Sequence, residues 1–355
     1  MAIPQEPERN ASLFNFETDY TKGEVIYSVK NLVVYFPLKR KLTAALKHIP
    51  PQYVHAIDGI SFDVHKKEIF GIVGESGCGK TTTGRTLVKL QDPTSGSLIF
   101  KGKNITNLRR GPEMREFRKK VQMVFQDPYE SLNPRFTILS SVEEPLVVNN
   151  IGTSPEEREL LVERALEDAG LKPASEYITR FPHELSGGQR QRVAIARSIV
   201  IRPEFIVADE PISMLDVSIR AGVMNLFLEL RDKYNLTFVF ITHDIGVARY
   251  MSDRIAVMYL GKIVEMGPTE MVIKNPQHPY TRALLSAVPV PDPSYQHGNV
   301  LIKGDLPNPI NVPTGCRFNP RCLFAIDKCK HAEPIMREVE PGHLVYCHVD
   351  LTNVK

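Results

Sequence analysis

Eight consecutive residues, Gly74, Glu75, Ser76, Gly77, Cys78, Gly79, Lys80 and Thr81, fit the pattern G-x-x-x-x-G-K-[ST], and Thr82 follows directly. Such a run handles phosphate when it follows a strand and opens a helix. The glycines let backbone N–H groups converge on phosphate oxygens, and the helix start adds a favourable dipole. The apolar run Ile69–Val73 before it and the helical pattern Thr81–Leu90 after it supply that context. Lys80 is placed to bridge the β- and γ-phosphates of a nucleoside triphosphate, and the Thr81 hydroxyl to ligate Mg²⁺. Cys78 contributes only backbone, the alternative being a redox-sensing thiol beside the phosphates.

Further along, Phe205–Ala208 is an apolar strand that ends in two carboxylates, Asp209 and Glu210. Asp209 is expected to hold Mg²⁺, usually through water, and Glu210 to polarise an attacking water. Thr237–Thr242 is another such strand, followed by His243, which at that place can bond a γ-phosphate and orient the water. Gln126, after the strand Val121–Phe125, is a further Mg²⁺ or water ligand. Ser186-Gly187-Gly188-Gln189 at a helix start offers a hydroxyl and backbone donors, a second anion site. One nucleotide does not need two cradles in one chain. The economical solution is a head-to-tail dimer, with Ser186 of one subunit capping the phosphate held by Lys80 of the other.

These residues need a scaffold that brings strand ends together. Short β-rich runs spaced by helices predict an α/β fold with parallel strands buried on both faces. The stretch from about Ser131 to Ile178 breaks that alternation and reads as a helical subdomain. It holds the helix Ser154–Gly170, with Pro155 in its first turn. Ser28–Phe36 and Ala56–Val64 alternate like strands, and Ile255–Gly267 reads as a hairpin turning at Leu260-Gly-Lys. Between the first two lies a basic insertion, Pro37–Tyr53, read as a solvated helix or as a contact on the membrane side. From about Pro276 the chain turns proline-rich, which marks a linker and a small C-terminal module. The resulting division is a tail (1–24), a nucleotide-binding domain (25–276, with its helical subdomain at about 127–190) and an extension (277–355).

Composition narrows the classes. In 355 residues, 44 Lys and Arg face 41 Asp and Glu, a balance that argues against a nucleic-acid coat or a polybasic membrane binder. No apolar run reaches the ~18 residues a membrane span needs. The polar, acidic start lacks a basic n-region and an apolar core, so the cytosol is the expected compartment.

Leu-Ser-Gly-Gly-Gln, together with the phosphate loop, Gln126, Asp209-Glu210, Asp216 and His243, resembles the ATP-binding subunit of an ABC transporter over about residues 25–270. Asn275-Pro-Gln-His-Pro-Tyr280 and the cysteine-bearing tail are similar to the ATPases of oligopeptide/dipeptide importers. The insertion 37–53 resembles the second of the two ATPase types in such importers. The resemblance implies a P-loop ABC ATPase core, a mostly parallel sheet with an antiparallel β subdomain, plus a helical subdomain. It implies ATP and Mg²⁺, with Phe36 stacking on adenine and Asp216 at the nucleotide. It implies two membrane-spanning permease subunits, a second homologous ATPase and, indirectly, an external solute-binding protein, with the chain peripheral at the cytoplasmic face and no nucleic acid partner. Peptides are the implied cargo, with oligosaccharides or nickel as alternatives. A soluble ABC ATPase in DNA repair or translation is the rival class, against which stand the single cassette and the lack of sustained heptads. Met214, where the family usually has alanine, and Thr81 in place of serine depart from its pattern without removing the needed chemistry.

Four of the five cysteines, Cys316, Cys322, Cys329 and Cys347, crowd the C-terminus with spacing C-x5-C-x6-C-x17-C. Four thiolates suit an iron–sulfur cluster of the 4Fe–4S kind. Zinc prefers closer-spaced pairs, although His331, His343 and His348 could substitute, and unligated buried cysteines are the third reading. A metal staple suits a module too small and proline-rich to hold itself by apolar burial.

Overall fold

The computed structural model describes residues 23–38, 51–287, 302–305 and 307–351. Most of the basic insertion (39–50), nearly all of the N-terminal tail and the prolines of 288–301 lie outside the described residues.

The two alternating stretches form β1 (Val25–Pro37) and β2 (Tyr53–His65), paired antiparallel from Val25↔His65 to Pro37↔Tyr53. β3 (Ile69–Val73) is buried at every residue and leads into the phosphate loop. β4 (Ser95–Phe100) and β5 (Lys103–Asn104) complete a four-stranded antiparallel sheet in the order β2-β1-β4-β5. β6 (Val121–Val124), β7 (Phe205–Asp209), β8 (Thr237–Thr242) and β9 (Arg254–Tyr259) line up parallel with β3, in the order β9-β3-β8-β7-β6. β10 (Lys262–Pro268) folds back on β9 through Leu260 and Gly261, both in the left-handed region that tight hairpins require. β11 (Met336–Glu340) and β12 (His343–Tyr346) form a C-terminal hairpin, and β12 pairs with β10. Among the described residues the large sheet thus has eight strands, two of them at one edge supplied by the C-terminal stretch.

Apolar burial joins the layers. Phe62 stacks on Phe70 at 5.0 Å, and Tyr27 lies 5.1 Å from Phe205 while its hydroxyl donates to the Leu87 carbonyl at 2.7 Å. Each fully buried ring of this kind contributes about 2–3 kcal/mol. The helices Ile138–Val148, Pro155–Asp168 and Gly187–Ile199 pack together as the subdomain expected from sequence. Ser154 caps the middle one by accepting from the Glu157 N–H at 3.2 Å, with Pro155 in its first turn.

The C-terminal part is fastened by polar as well as apolar groups. Glu265 on β10, fully buried, accepts from the N–H groups of Gln277 (2.7 Å) and His278 (3.0 Å) and pairs with buried His343 at 2.7 Å. His278 Nδ1 accepts from the Tyr280 N–H at 3.1 Å and so caps the helix Pro279–Ser286. Burial drives the His278 pKa down to about 3. A folded-state pKa below the unfolded value means that acid protonates the unfolded chain first. Stability is therefore full above about pH 6.5 and falls as pH drops toward 3, by about 2 kcal/mol at pH 5 from this group alone. Thermal melts between pH 7.5 and 5 should show this loss, and His278→Asn, which keeps a capping oxygen, should flatten it. An equal slope in the variant would assign the loss to other groups.

Candidate active site

β3, β7 and β8 are buried along their whole lengths, and the chemistry collects beyond their carboxyl ends. Between β3 and the helix Lys80–Leu87 the loop needs glycine for two reasons. Gly79, which caps the helix, has φ +108°, and a Cβ there would lie 2.3 Å from the Ala56 carbonyl oxygen. A Cβ on Gly74 would lie 2.2 Å from the Met258 carbonyl oxygen. Lys80 is nearly buried and donates to the carbonyls of Gly74 (2.8 Å) and Glu75 (3.0 Å). Its ammonium also stands 3.8 Å from Glu210. A buried cation ringed by peptide dipoles at a helix start is an anion site. Cys78 is buried in the loop, and burial pushes its thiol up to about 11, as suits a passive small residue.

Asp209 and Glu210 diverge at the end of β7. Asp209 accepts from the Thr81 hydroxyl at 3.1 Å, and burial raises its carboxyl above the usual range while that hydrogen bond opposes the rise. The pair is an all-oxygen donor set of the kind Mg²⁺ takes. Glu210 adopts φ +45°, a strained conformation for a residue with a side chain, while its N–H stays bonded to the Ile241 carbonyl of β8. The kink sends its carboxylate to other partners: His243 Nδ1 at 2.9 Å and Gln126 Nε2 at 3.4 Å. Four of the residues expected from sequence, Lys80, Gln126, Glu210 and His243, therefore surround one point, with Thr81 and Asp209 beside it.

Other expected residues stand apart from that cluster. Ser186 is exposed at the start of the helix Gly187–Ile199, where it and Gln189 bond each other reciprocally: Gln189 N–H to Ser186 Oγ at 3.3 Å, and Ser186 N–H to Gln189 Oε1 at 2.9 Å. A Cβ on Gly187 would meet nothing within 4 Å, so that face of the motif is open. Asp216 is exposed at the start of the helix Val217–Tyr234. Phe36 is partly exposed at the end of β1, whereas neighbouring Tyr35 is occupied: its hydroxyl donates to Asp58 at 2.6 Å and its ring lies 4.2 Å from His55.

The four C-terminal cysteines are free thiols in one module. Burial, then the fields of Cys347, Cys329 and Cys322, pushes Cys316 up to about 12, and burial likewise raises Cys322 and takes Cys347 to about 11. Among the described residues no three His, Cys, Asp or Glu side chains stand at the spacing that holds a metal ion. Two residues that sequence reading did not single out as site residues reach the phosphate loop from this end of the chain: the Tyr280 hydroxyl accepts from the Glu75 N–H at 2.9 Å, and Arg321 bonds the Glu75 carboxylate at 3.0 Å. No local signal marks them, since they are 205 and 246 residues away in sequence.

The chain matches the family model of the ABC transporter over residues 57–213 and that of the oligopeptide/dipeptide transporter C-terminal region over residues 264–329. It is 47% identical over 328 residues to the oligopeptide transport ATP-binding protein AppF of Bacillus subtilis, covering 92% of this chain and 98% of that one. The chain belongs to the ABC transporter family. It is also 46% identical to the dipeptide transport ATP-binding protein DppF of Haemophilus influenzae, over 89% of this chain and 94% of the relative. Among solved structures it resembles a dimeric post-hydrolysis state of the ATP-binding cassette MJ0796 bound to ADP and Pi. That likeness has TM-score 0.60 and 30% identity, over 68% of this chain and 98% of the cassette. A second is cbiO1 from Clostridium perfringens, part of the transporter complex cbiONQ, with TM-score 0.59 and 26% identity, over 71% of this chain and 92% of cbiO1. This ABC protein is an ATPase, and no helix among its described residues is long and apolar enough to cross a membrane.

Within this ABC ATPase, Lys80→Ala is expected to weaken ATP binding, and Glu210→Gln to leave binding in place while slowing turnover by about 10²–10³-fold. Phosphate release and nucleotide affinity measured on the assembled complex check both. Unchanged turnover in Glu210→Gln would remove Glu210 as the base.

Proposed function

We propose that this chain is the ATP-driven motor of a peptide importer, peripheral at the cytoplasmic face of the membrane. It would sit beneath two membrane-spanning permease subunits and beside a second, homologous ATPase, with an external binding protein delivering cargo. The observation that carries the dimeric part is the division of the site: six residues gather at the strand ends, while the Ser186 motif presents an open face with no bond to them. The C-terminal family match and the names of the relatives support peptide as cargo.

In this reading Phe36 offers its exposed ring to adenine, and the loop 74–82 with Lys80 holds the phosphates. Thr81 and Asp209, with Gln126, would hold Mg²⁺, which neutralises phosphate charge when bound. Glu210 accepts a proton from water as the water oxygen bonds to the γ-phosphorus and the bond to the β,γ-bridging oxygen breaks. His243 holds the Glu210 carboxylate in place and reaches toward the γ-phosphate. The Ser-Gly-Gly-Gln motif of the second ATPase would close the site from the opposite side, while Ser186, Gly187 and Gln189 of this chain would close the partner's site in turn, with exposed Asp216 beside its nucleotide. Gln126 links the reacting end to the helical subdomain, because it stands between β6 and the short helix Pro128–Ser131. A cleft lined by Leu90, Phe125, Pro145 and Arg197 lies at that junction, and a cytoplasmic helix of a permease is its proposed occupant. Native mass measurement of the purified complex should find one copy of this chain, one of a second ATPase and two permeases, with peptide bound. Two copies of this chain and no second ATPase would overturn the pairing, and nickel or an oligosaccharide in place of peptide would overturn the cargo.

The four C-terminal cysteines are proposed to hold an iron–sulfur cluster of the 4Fe–4S kind. Support comes from the donor set, four free thiols of which three lie close enough to raise the pKa of Cys316, in a small module that buries few apolar side chains. Their present spacing is not that of a closed ligand shell. The cluster's role would be to pin the extension. Protein prepared without oxygen should be brown and should lose its colour when any one of the four becomes serine. Colourless anaerobic protein with one zinc per chain would defeat the cluster.

A further inference from the structure

The loop between Cys316 and Cys322 carries two nearly buried arginines that point into the ATPase core. Arg317 bonds the Leu260 carbonyl and the Asp58 carboxylate of β2, which seats the loop on both sheets. Phe318 completes the seat by packing 5.2 Å from Tyr259 and 5.5 Å from Tyr280. From this base Arg321 extends to Glu75 in the phosphate loop, at 3.0 and 3.2 Å from its two carboxylate oxygens. Tyr280, held at the start of its helix by the His278 cap, bonds the N–H of the same residue. Lys80 holds the Glu75 carbonyl. All three polar parts of Glu75 are therefore engaged, two of them by the C-terminal extension.

We propose that the C-terminal extension sets the ATP affinity of the phosphate loop through Arg321 and Tyr280, which act as positioning residues on Glu75. Two effects carry it. The peptide of Glu75 fixes the direction of the N–H groups that follow, and Gly77, at φ +80°, would otherwise leave them free to turn. The Glu75 carboxylate also sits in a loop built for anions, where unpaired it would repel a triphosphate; Arg321 neutralises it. Arg321 also reaches the Tyr259 hydroxyl at 3.5 Å, but its Nε has no hydrogen-bond partner, and Glu75 is the carboxylate that offsets its burial.

The test uses the full chain in its assembled complex, with the KM for ATP and kcat measured separately. Arg321→Gln should raise KM about fivefold and change kcat by less than about twofold, the signature of lost ground-state binding. Glu75→Gln combined with Arg321→Gln should recover most of that KM, because the repelling charge is gone, and Arg321→Lys should stay near the wild type. Tyr280→Phe removes one oxygen and little packing; it should raise KM about threefold, and it carries the test where Arg321→Gln does not fold. A wild-type KM in Arg321→Gln or in Tyr280→Phe would overturn the proposal. So would a double variant no better than Arg321→Gln alone.

Discussion

A parallel sheet covered on both faces has no place for a charge along its strands. In this chain β3, β7 and β8 are apolar and buried from end to end, so every ionisable group they carry into the site must stand at or beyond their carboxyl ends. That exclusion gathers Lys80, Asp209, Glu210 and His243 from three strand ends that are separate in sequence. It also creates their difficulty, since like charges and a buried ammonium crowd one another. The φ of +45° at Glu210 resolves the crowding: one carboxylate turns to Thr81 and the other to His243 and Gln126.

The sequence was legible wherever a signal is local. The phosphate loop, the acidic end of β7, the hairpin at Leu260-Gly261 and the helix with Pro155 in its first turn each depend on a few neighbouring residues, and each formed close to the expected place. Less legible were strands whose composition hides them. β4 opens with Ser95-Gly96-Ser97, which reads as turn chemistry, and β11, at the sheet edge, has no buried residue to make an apolar run. Contacts on Glu75 from Tyr280 and Arg321 were out of reach for another reason: tertiary pairing across more than two hundred residues leaves no periodicity to read.

The C-terminal stretch is best understood as part of the ATPase core. β12 continues the main sheet, Glu265 gathers the start of the Pro279–Ser286 helix, and Tyr259, Tyr280 and Phe318 form one apolar seat under the cysteines. A small module gains stability when it borrows a core in this way. The same contacts bring its arginines to the phosphate loop, so the fastening of the module and the shape of the nucleotide site share residues.

In the proposed dimer each chain holds half of a working site. The most direct measurement is a structure of the assembled complex, made with Glu210→Gln in this chain and with ATP and Mg²⁺ present. A shared site would show the γ-phosphate of the nucleotide on Lys80 capped by the Ser-Gly-Gly serine of the second ATPase, and this chain's Ser186 engaged on the nucleotide of that partner. A γ-phosphate enclosed by this chain alone, with Ser186 left facing solvent, would contradict it.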